Sequence, residues 1–527
     1  SFRIGLNAKA GDHLLWCVLK EKGKVLLRIP VRLRVYDFAL PEEHSINTAF
    51  GFSPSLAARY HGVKNEADKR KLFDLYMQDF RDHRISPYHF APFDPIELKI
   101  KGLAWQGEFE RVRQRPFQGE WCLKLSDRSA SRNVSAESTR LFSVSKGKTY
   151  VLSWYARSDT EKQKYLVTLQ TYDSKKRWIS GRNIDIARTA GRRWRREEIR
   201  VNVTERSPRC AFVRVVLRPT LWDEKGKYTG TVFFDEISFK PEGDEGELLQ
   251  DGGFEYGALL ASVELNFSSW DKQARRYLDL FHFDSFRLRL KGLGGGTFHS
   301  RYYGRFGPFR QGTTDWGILF GKYAEKLQLH LEENSWLRKA YVYWFDEPAE
   351  KDYDFVKEGM AQIKRFAPKL RRLLTEEPRK ELFGYVDIWC PVLSRADPAA
   401  IRDRIKKGET VWWYVCTGPK APYLGLFIDH PPTDLRVWSW LSWKWGVTGL
   451  LVWQTNYWTS RCAYPDKDQD PWEDPMSYVS GYGRPPGYVG YWGNGDGRFL
   501  YPPRRRPAEG PILKRPIDSI RWEMLRE

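Results

Sequence analysis

The chain has 527 residues, of which 41% are hydrophobic and 15% aromatic, and its formal net charge is +20. This length allows two or three domains, and no stretch reaches the roughly 18 uninterrupted apolar residues of a membrane helix, so no span is predicted. The charge suggests a nucleic-acid partner, but the basic residues 192–196 are followed directly by acidic ones, and no zinc-finger spacing or RNA-recognition motif occurs. We therefore interpret the charge as a solvated basic surface and predict no nucleic-acid partner.

The number of tryptophans and the spacing of the cysteines further limit the kinds of function that the sequence predicts. The 23 tryptophans suit a carbohydrate ligand, because aromatic faces pack against the C–H faces of sugar rings, although large domains also bury many aromatic residues. The six cysteines are widely spaced and contain no CxxC pair, which argues against a metal site or a dense disulfide framework. Cys122 and Cys210 fall in the same predicted domain, and the sequence leaves open whether they pair.

The first 40 residues alternate between apolar and polar side chains, most clearly over residues 25–35. This pattern predicts the last strands of a truncated N-terminal β-sandwich, followed by a linker at residues 37–41. At the other end, residues 519–527 have the pattern of an amphipathic helix. We expect a fragment that is trimmed at both ends.

From residue 45 onward, strand-like and helix-like segments alternate, which predicts a (β/α)₈ barrel. A run of short strands interrupts this alternation and predicts a β-sandwich at residues 101–249, inserted after the second barrel strand. The barrel is then assigned to residues 45–100 and 250–527. A doubly wound open sheet is the alternative, but no glycine-rich phosphate loop follows the first strand. The eight predicted strands are 46–52, 85–93, 285–290, 339–345, 371–375, 385–389, 410–416 and 450–453.

The fourth predicted strand ends in Asp346, Glu347 and Pro348, at the end of a barrel strand where catalytic residues are expected. Neighbours in a regular strand point to opposite faces, so the backbone must leave the strand for both carboxylates to reach one pocket. Pro348 helps, because it removes a donor and restricts the residue before it. Two crowded carboxylates acquire different pKa values, which suits glycosidic bond cleavage. Helix capping is the alternative explanation for this tripeptide.

Polar and aromatic residues also gather at the other strand ends, and we predict that they bind substrate. Core packing explains the same aromatic residues equally well, and helix capping is the alternative for Asp429. The predicted substrate-binding residues are His89, Asp387, Trp389, Trp413, Tyr414, Asp429, Trp453, Asn456 and Tyr457.

Several motifs, in this order along the chain, resemble the catalytic domain of glycoside hydrolase family 123. They are Tyr-Trp-Phe-Asp-Glu-Pro at 343–348, Phe-Ile-Asp-His-Pro at 427–431, the tryptophan-rich 440–447, Trp-Gln-Thr-Asn-Tyr-Trp at 453–458, and 494–502. The resemblance covers roughly residues 1–95 and 255–527. The inserted sandwich resembles a carbohydrate-binding module instead, through residues 119–125, 147–156 and 234–239.

The resemblance implies a β-N-acetylgalactosaminidase that uses retaining, substrate-assisted hydrolysis. In such a reaction Asp346 orients the substrate acetamido group, and Glu347 protonates the leaving oxygen and then activates water. No cofactor and no metal are implied, the partner is an amino-sugar glycan, and an extracytoplasmic or secreted location is favoured. A gluco-configured sugar, an acidic glycan, a polyanion and a non-catalytic carbohydrate-binding protein stay open as alternatives, as does the oligomeric state.

Overall fold

The computed structural model describes residues 4–5, 7–39, 41, 44–129, 131–221, 229–480, 485, 487–505 and 509–526. Strands and helices alternate through much of the chain, and parallel and antiparallel sheets are both present. The predicted mixed α/β class is confirmed. Part of the predicted N-terminal region, at residues 1–3, 6 and 40, lies outside the described residues.

Among the described residues, most parallel strands form two separate sheets, and these sheets do not join into a closed barrel. Residues rich in β-branched and aromatic side chains form these strands, as expected for buried parallel sheets. The first sheet has the order Phe286–Arg287, Ala340–Tyr343, Arg371–Leu374, Ile388–Trp389 and Thr410–Val411. The second has the order Trp413–Tyr414, Gly449–Val452 and Asn47–Phe50.

The predicted strand at residues 85–93 is not formed as a regular strand, and this prediction is wrong. Only an isolated parallel bridge joins Phe50 to Pro87. Pro87 has no N–H group, so it cannot donate to a strand ladder. The neighbouring Tyr88 still donates its N–H to the Phe50 carbonyl at 2.8 Å and accepts from the N–H of Arg287 at 2.9 Å.

The helix predicted at residues 519–527 is formed over Ile520–Arg526, and several helices end with the expected capping chemistry. The Asn65 side chain accepts from the N–H of Asp68, Thr313 accepts from the N–H of Trp316, and Gly446 ends its helix in the left-handed conformation. The α-helices are Pro54–Tyr60, Glu66–Asp82, Val203–Arg206, Ser268–Ala274, Thr314–Glu333, Tyr353–Phe366, Pro398–Lys406, Thr433–Trp445 and Ile520–Arg526. A π-helical turn spans Arg275–Leu280, and 3₁₀ turns span Gly257–Leu260, Leu337–Lys339, Glu350–Asp352, Lys380–Leu382 and Leu393–Arg395.

Antiparallel strands between the predicted second and third barrel strands form two facing sheets around a buried core that includes Trp154, Leu169 and Phe234. This is the β-sandwich pattern that the sequence predicts; its boundaries as a domain stay a prediction. One sheet contains Glu110–Val112, Cys122–Asp127, Thr149–Arg157, Arg195–Asn202 and Gly230–Pro241. The other contains Trp105–Gly107, Ala136–Ser138, Phe142–Ser143, Gln163–Tyr172, Ile184–Ala190 and Phe212–Arg218. Cys122 and Cys210 are both free.

Near the N-terminus, Gly11–Glu21 and Lys24–Val35 pair as an antiparallel hairpin whose large apolar side chains, such as Trp16 and Leu26, are exposed. No helix among the described residues is long and apolar enough to cross a bilayer. Within the described ranges, five further small sheets connect the larger elements. They pair Glu97–Lys101 with Ser262–Asn266; Gly295–Thr297 with Ser300–Tyr302 and Phe345–Asp346; Arg305–Phe306 with Phe309–Arg310; Met476–Val479 with Gly490–Asn494; and Leu500–Tyr501 with Ile517–Asp518.

Most buried apolar residues in the described part of the chain fall into two clusters. The larger runs through the sandwich and beneath the helices. The smaller takes one or two side chains from each of several parallel strands, namely Ala49, Tyr341, Leu373, Ile388, Cys390, Trp412, Tyr414 and Leu451. Tyr88 and Tyr343 pack against this inner cluster. Because alternate residues of a strand face opposite sides, the intervening residues belong to the larger cluster.

Candidate active site

The predicted acid pair lies where its strand leaves the five-stranded sheet. Ala340–Tyr343 pairs with neighbours on both sides, but Phe345–Asp346 pairs instead with Gly295–Thr297. Glu347 follows with a φ of +42°, which a residue with a side chain rarely adopts. This break in the regular backbone is the one that the sequence argument requires. Strained backbone of this kind is concentrated at functional sites.

Hydroxyl groups hold the Asp346 carboxylate. Oδ1 of Asp346 accepts from the hydroxyls of Tyr343 and Thr375, the second at 3.0 Å. The same Thr375 oxygen accepts from the backbone N–H of Glu347 at 2.7 Å. Thr375 follows the adjacent strand Arg371–Leu374 and is buried. One side chain therefore fixes the positions of both acids.

Glu347 lines a cavity of about 480 Å³, and the Tyr414 hydroxyl donates to its Oε1. Burial raises the pKa of Glu347, the negative charge of Asp346 raises it further, and the hydrogen bond from Tyr414 opposes this. Glu347 therefore holds its proton to a higher pH than an ordinary glutamate. The cavity is lined by Phe298, Glu347, Pro348, Ala349, Thr375, Glu376, Glu377, Val392, Ser394, Arg395, Tyr414, Cys416, Thr417, Gly418 and Pro419.

A second acid pair lines the same cavity and was not predicted. Burial, followed by the adjacent Glu377, raises the pKa of Glu376. Burial also acts to raise the pKa of Glu377, but hydrogen bonds and nearby arginines outweigh it and lower that pKa. Arg379 and Arg395 lie 3.5 and 3.6 Å from the Glu377 carboxylate. The sequence carries a signal for this pair, because Glu376, Glu377 and Pro378 end the fifth predicted strand just as Asp346, Glu347 and Pro348 end the fourth.

His89 is accessible to solvent, and its Nδ1 accepts from the N–H of Ala91 at 3.1 Å. Desolvation, assisted by the charges of Arg289 and Arg287, lowers the pKa of His89 to about 4. The His89 ring is accessible to solvent and nonetheless desolvated, which fits a side chain on a concave surface. At neutral pH its imidazole carries no charge. His89 follows the residues that bridge to the first strand, so it lies at the carboxyl-end edge of the parallel strands.

Three of the predicted substrate-binding residues do not line the cavity, and their contacts argue against substrate binding. Asp387 accepts from the Arg372 guanidinium at 2.7 and 2.9 Å. Trp389 is fully buried and donates to Glu409, and Trp413 is buried and donates to Ser442 at 3.0 Å. Ile388 and Tyr414 belong to the inner cluster, so their strand neighbours point to the opposite, helix-covered face.

Of the remaining four predicted residues, one is buried in the protein framework and three are at least partly accessible to solvent. Asn456 is fully buried, and its amide exchanges two hydrogen bonds of 2.9 Å with the Ser53 backbone, which makes it part of the framework. Asp429 is exposed and accepts from Asn494 at 3.0 and 3.2 Å; it does not cap the following helix. Trp453 and Tyr457 pack edge to face at 5.0 Å.

The aromatic group that Trp453 and Tyr457 form also includes Trp492, which was not predicted. The Trp492 ring lies 5.5 Å from that of Trp453 and 6.3 Å from that of Tyr457. All three rings are half-buried, and the Trp453 indole donates to Asp496 at 3.1 Å. Tyr414 pairs with Leu451, so Trp453 follows at the same edge of the sheet as Tyr414.

In the part of the chain that the structure describes, Glu376 and Glu377 of the cavity pair with arginines, and none of the cavity acids belongs to a close group of metal-ligand atoms. Among the described residues, the group of three whose ligand atoms approach closely enough for a metal ion is Asp79, His83 and Asp518, and none of these lines the cavity.

The sequence profile of "Glycoside hydrolase 123, catalytic domain" matches residues 299–527, the region that contains both acid pairs. No curated protein sequence matches the chain. The solved structures that it is similar to include a family 123 glycoside hydrolase from Clostridium perfringens, described as hydrolysing glycolipid glycans. That similarity has 12% identity and a TM-score of 0.34, over 82% of this chain and 87% of that one.

Two other similar structures match smaller parts of the chain. The CBM22-1 xylan-binding domain of Paenibacillus barcinonensis Xyn10C has 12% identity and a TM-score of 0.20, over 27% of this chain and 88% of that one. The enzymatically active domain of bacteriophage CBA120 tailspike protein 4 has 12% identity and a TM-score of 0.21, over 29% of this chain and only 20% of that one. The profile match shows that residues 299–527 carry a glycoside hydrolase family 123 catalytic domain.

Proposed function

We propose that this glycoside hydrolase removes a terminal β-linked N-acetylgalactosamine by retaining, substrate-assisted hydrolysis. The observation that carries the proposal is the adjacent pair Asp346 and Glu347, joined through Thr375 at the edge of a parallel sheet. A retaining enzyme with a protein nucleophile separates its two carboxyl groups by roughly 5 Å across the sugar. Adjacent acids suit a reaction in which the substrate's own 2-acetamido oxygen attacks the anomeric carbon.

Asp346 is assigned to the acetamido group. Among the described residues, its hydrogen bonds from Tyr343 and Thr375 both reach Oδ1, which leaves Oδ2 as an acceptor for the acetamido N–H. A carboxylate there orients the carbonyl oxygen for attack and stabilises the positive charge of the oxazolinium intermediate. Electrostatic stabilisation of this kind is effective because the carboxylate is already held in place before the reaction.

Glu347 is assigned the role of general acid and then general base. It lines the cavity, and its raised pKa favours the protonated form that must donate to the leaving oxygen. After the aglycone leaves, the resulting carboxylate accepts a proton from the water that opens the oxazolinium ring. Attack from the acetamido face and then from water on the opposite face gives net retention at the anomeric carbon.

We further propose that the parallel segments form the (β/α)₈ barrel that the sequence predicts. Tyr88 forms backbone hydrogen bonds with Phe50 on one side and Arg287 on the other, which links edges of the two parallel sheets. At the last strand of the five-stranded sheet, the backbone N–H of Thr448 donates to the carbonyl oxygen of Val411 at 2.9 Å. The inner apolar cluster, with its contributions from successive strands, has the composition of a filled barrel interior.

The division into domains and the role of the sandwich belong to the same proposal. We assign residues 101–249 to a carbohydrate-binding module and residues 45–100 and 250–527 to the catalytic barrel. The two facing antiparallel sheets support the first assignment. The half-buried rings of Trp453, Tyr457 and Trp492 offer an apolar platform for a sugar ring beside the catalytic region.

Two measurements test the mechanism independently of rate. The anomer that forms first, observed by proton NMR before mutarotation, should be the β-anomer. A thiazoline analogue of the oxazolinium ion should compete strongly with substrate. Formation of the α-anomer would contradict the retaining mechanism, and a β-anomer without inhibition by the thiazoline would contradict participation of the acetamido group.

A further inference from the structure

A buried histidine lies where the first long helix meets the C-terminal segment, away from the cavity residues described above. His83 caps the helix Glu66–Asp82 and is 5% exposed. The C-terminal helix Ile520–Arg526 packs against it through Trp522, whose indole donates to the Asp79 carboxylate at 2.9 Å. Residues from opposite ends of the chain therefore surround this imidazole.

The hydrogen bonds of His83 define which ring nitrogen carries the proton. Nδ1 lies 2.9 Å from the Asp79 carbonyl oxygen and 3.2 Å from Asp79 Oδ1. Both atoms are acceptors, so Nδ1 must be the donor. In the neutral imidazole this leaves a lone pair on Nε2, which is buried and has no hydrogen-bond partner. A carboxylate that fixes the far nitrogen of an imidazole is the usual arrangement behind a metal-binding histidine.

Two carboxylates from the C-terminal segment face this nitrogen. Glu523 Oε1 lies 3.6 Å and Asp518 Oδ2 lies 3.8 Å from Nε2. These distances are too long for hydrogen bonds. Ligands of a tetrahedral zinc ion with bonds of about 2.1 Å lie roughly 3.4 Å apart, which is close to both distances from Nε2.

The charges around the imidazole favour a cation. Asp79, Asp518 and Glu523 face it, and one ligand atom each from Asp79, His83 and Asp518 lie within 4.8 Å of one another. Arg515 contacts Asp79 and Asp82, and Arg526 contacts Oε2 of Glu523, so both arginines approach the edge of the group.

We propose that His83, Asp518 and Glu523 bind a divalent transition-metal ion, Zn²⁺, with Asp79 holding the imidazole in the binding tautomer. A mixed set of one imidazole and two carboxylates suits zinc better than calcium or magnesium, which prefer oxygen alone. The ion links Asp518 and Glu523 of the C-terminal segment to His83 at the end of the helix Glu66–Asp82. It has no part in the glycosidase chemistry.

This site has a structural consequence for the catalytic region. Arg521, in the same C-terminal helix, donates to the carbonyl oxygens of Leu426, Gly495 and Arg498. Those carbonyls belong to the loops around Asp496, which accepts from the Trp453 indole. Metal binding therefore stabilises the loops that carry the aromatic platform.

The test uses the full chain after metal is removed with a chelator and the chelator is dialysed away. Calorimetric titration with zinc chloride should show one ion bound per chain, and the melting temperature should rise by at least a few degrees. Cobalt chloride should give visible d–d absorption typical of a four-coordinate site. Magnesium chloride should have little effect.

Matched variants assign the binding to these residues. Asp518→Asn and Glu523→Gln change partly exposed side chains and should fold, but each should weaken zinc binding at least about tenfold. Asp354→Asn, on an almost fully exposed aspartate of another helix, should leave zinc binding unchanged. The proposal is overturned if folded wild-type protein binds no zinc stoichiometrically, or if both ligand variants bind it as tightly as wild type.

Discussion

The hydroxyl of Thr375 lies 3.0 Å from Asp346 Oδ1, and the two residues come from the ends of adjacent parallel strands. The same oxygen accepts from the backbone N–H of Glu347, the residue with a φ of +42°. A short side chain on one strand therefore positions two consecutive acids on the next. The buried hydroxyl of Thr375 therefore supports the strained backbone at Glu347.

Replacing Thr375 by valine tests this arrangement, since valine keeps the shape and removes the hydroxyl. The partly buried N–H of Glu347 and the carboxylate of Asp346 both lose a partner, at a cost of about 1–3 kcal/mol. We expect kcat to fall roughly 10- to 100-fold while the fold is retained. Thr375→Ser should keep most of the activity. Equal activity of the valine and serine variants would contradict the positioning role.

Tyr414→Phe should change the pH dependence of catalysis. The Tyr414 hydroxyl stabilises the ionised form of Glu347, so its loss should raise the Glu347 pKa further. A general acid is active when protonated, and therefore the alkaline limb of kcat/KM should move to higher pH. The profile of kcat/KM against pH measures this shift. An alkaline limb that stays in place or moves to lower pH would count against Glu347 as the acid.

Glu347→Gln should affect substrates according to their leaving groups. Protonation contributes typically 10²- to 10⁴-fold to rate, and an aryl leaving group of low pKa needs it least. We expect the variant to lose most activity on alkyl glycosides and less on aryl glycosides with acidic phenols. The slope of log kcat/KM against leaving-group pKa provides the measurement. Glu350→Gln, on an exposed nearby glutamate, is the matched control and should behave like wild type.

Asp387→Ala should reduce stability and leave substrate affinity unchanged. Asp387 holds the guanidinium of Arg372, which is almost completely buried, so its removal leaves that charge without its carboxylate partner. Because Asp387 is itself partly exposed, we expect a loss of about 2–3 kcal/mol, somewhat below the range for a fully buried pair. Denaturant unfolding measures this loss. A raised KM with unchanged stability would instead restore the predicted substrate-binding role.

The sequence predicts the order and type of most elements because their patterns are local. Helices such as Glu66–Asp82 and Thr314–Glu333 carry both a 3.6-residue apolar period and a capping side chain. The predicted strand at residues 85–93 was wrong because an apolar run does not reveal whether its backbone pairs along its length. There the proline at 87 leaves a single bridge.

Site residues were harder to predict, because the direction of a side chain depends on the parity of its strand. Tyr414 faces the cavity, whereas Trp413 beside it packs against Ser442 and Trp445. An error of one residue in strand parity reverses this assignment. The role of Thr375 was beyond sequence reasoning, since it depends on the register between two strands that are separated by a helix.

The central claim is tested most directly by release of 4-nitrophenol from its β-N-acetylgalactosaminide. Wild type, Glu347→Gln and Asp346→Asn are compared, with the gluco-configured and the non-acetylated galacto analogues as further substrates. The account predicts turnover by wild type that requires the acetamido group, exceeds that on the gluco analogue and falls sharply with Asp346→Asn. Folded wild-type protein that cleaves none of the three substrates, or cleaves the non-acetylated sugar equally well, would contradict it.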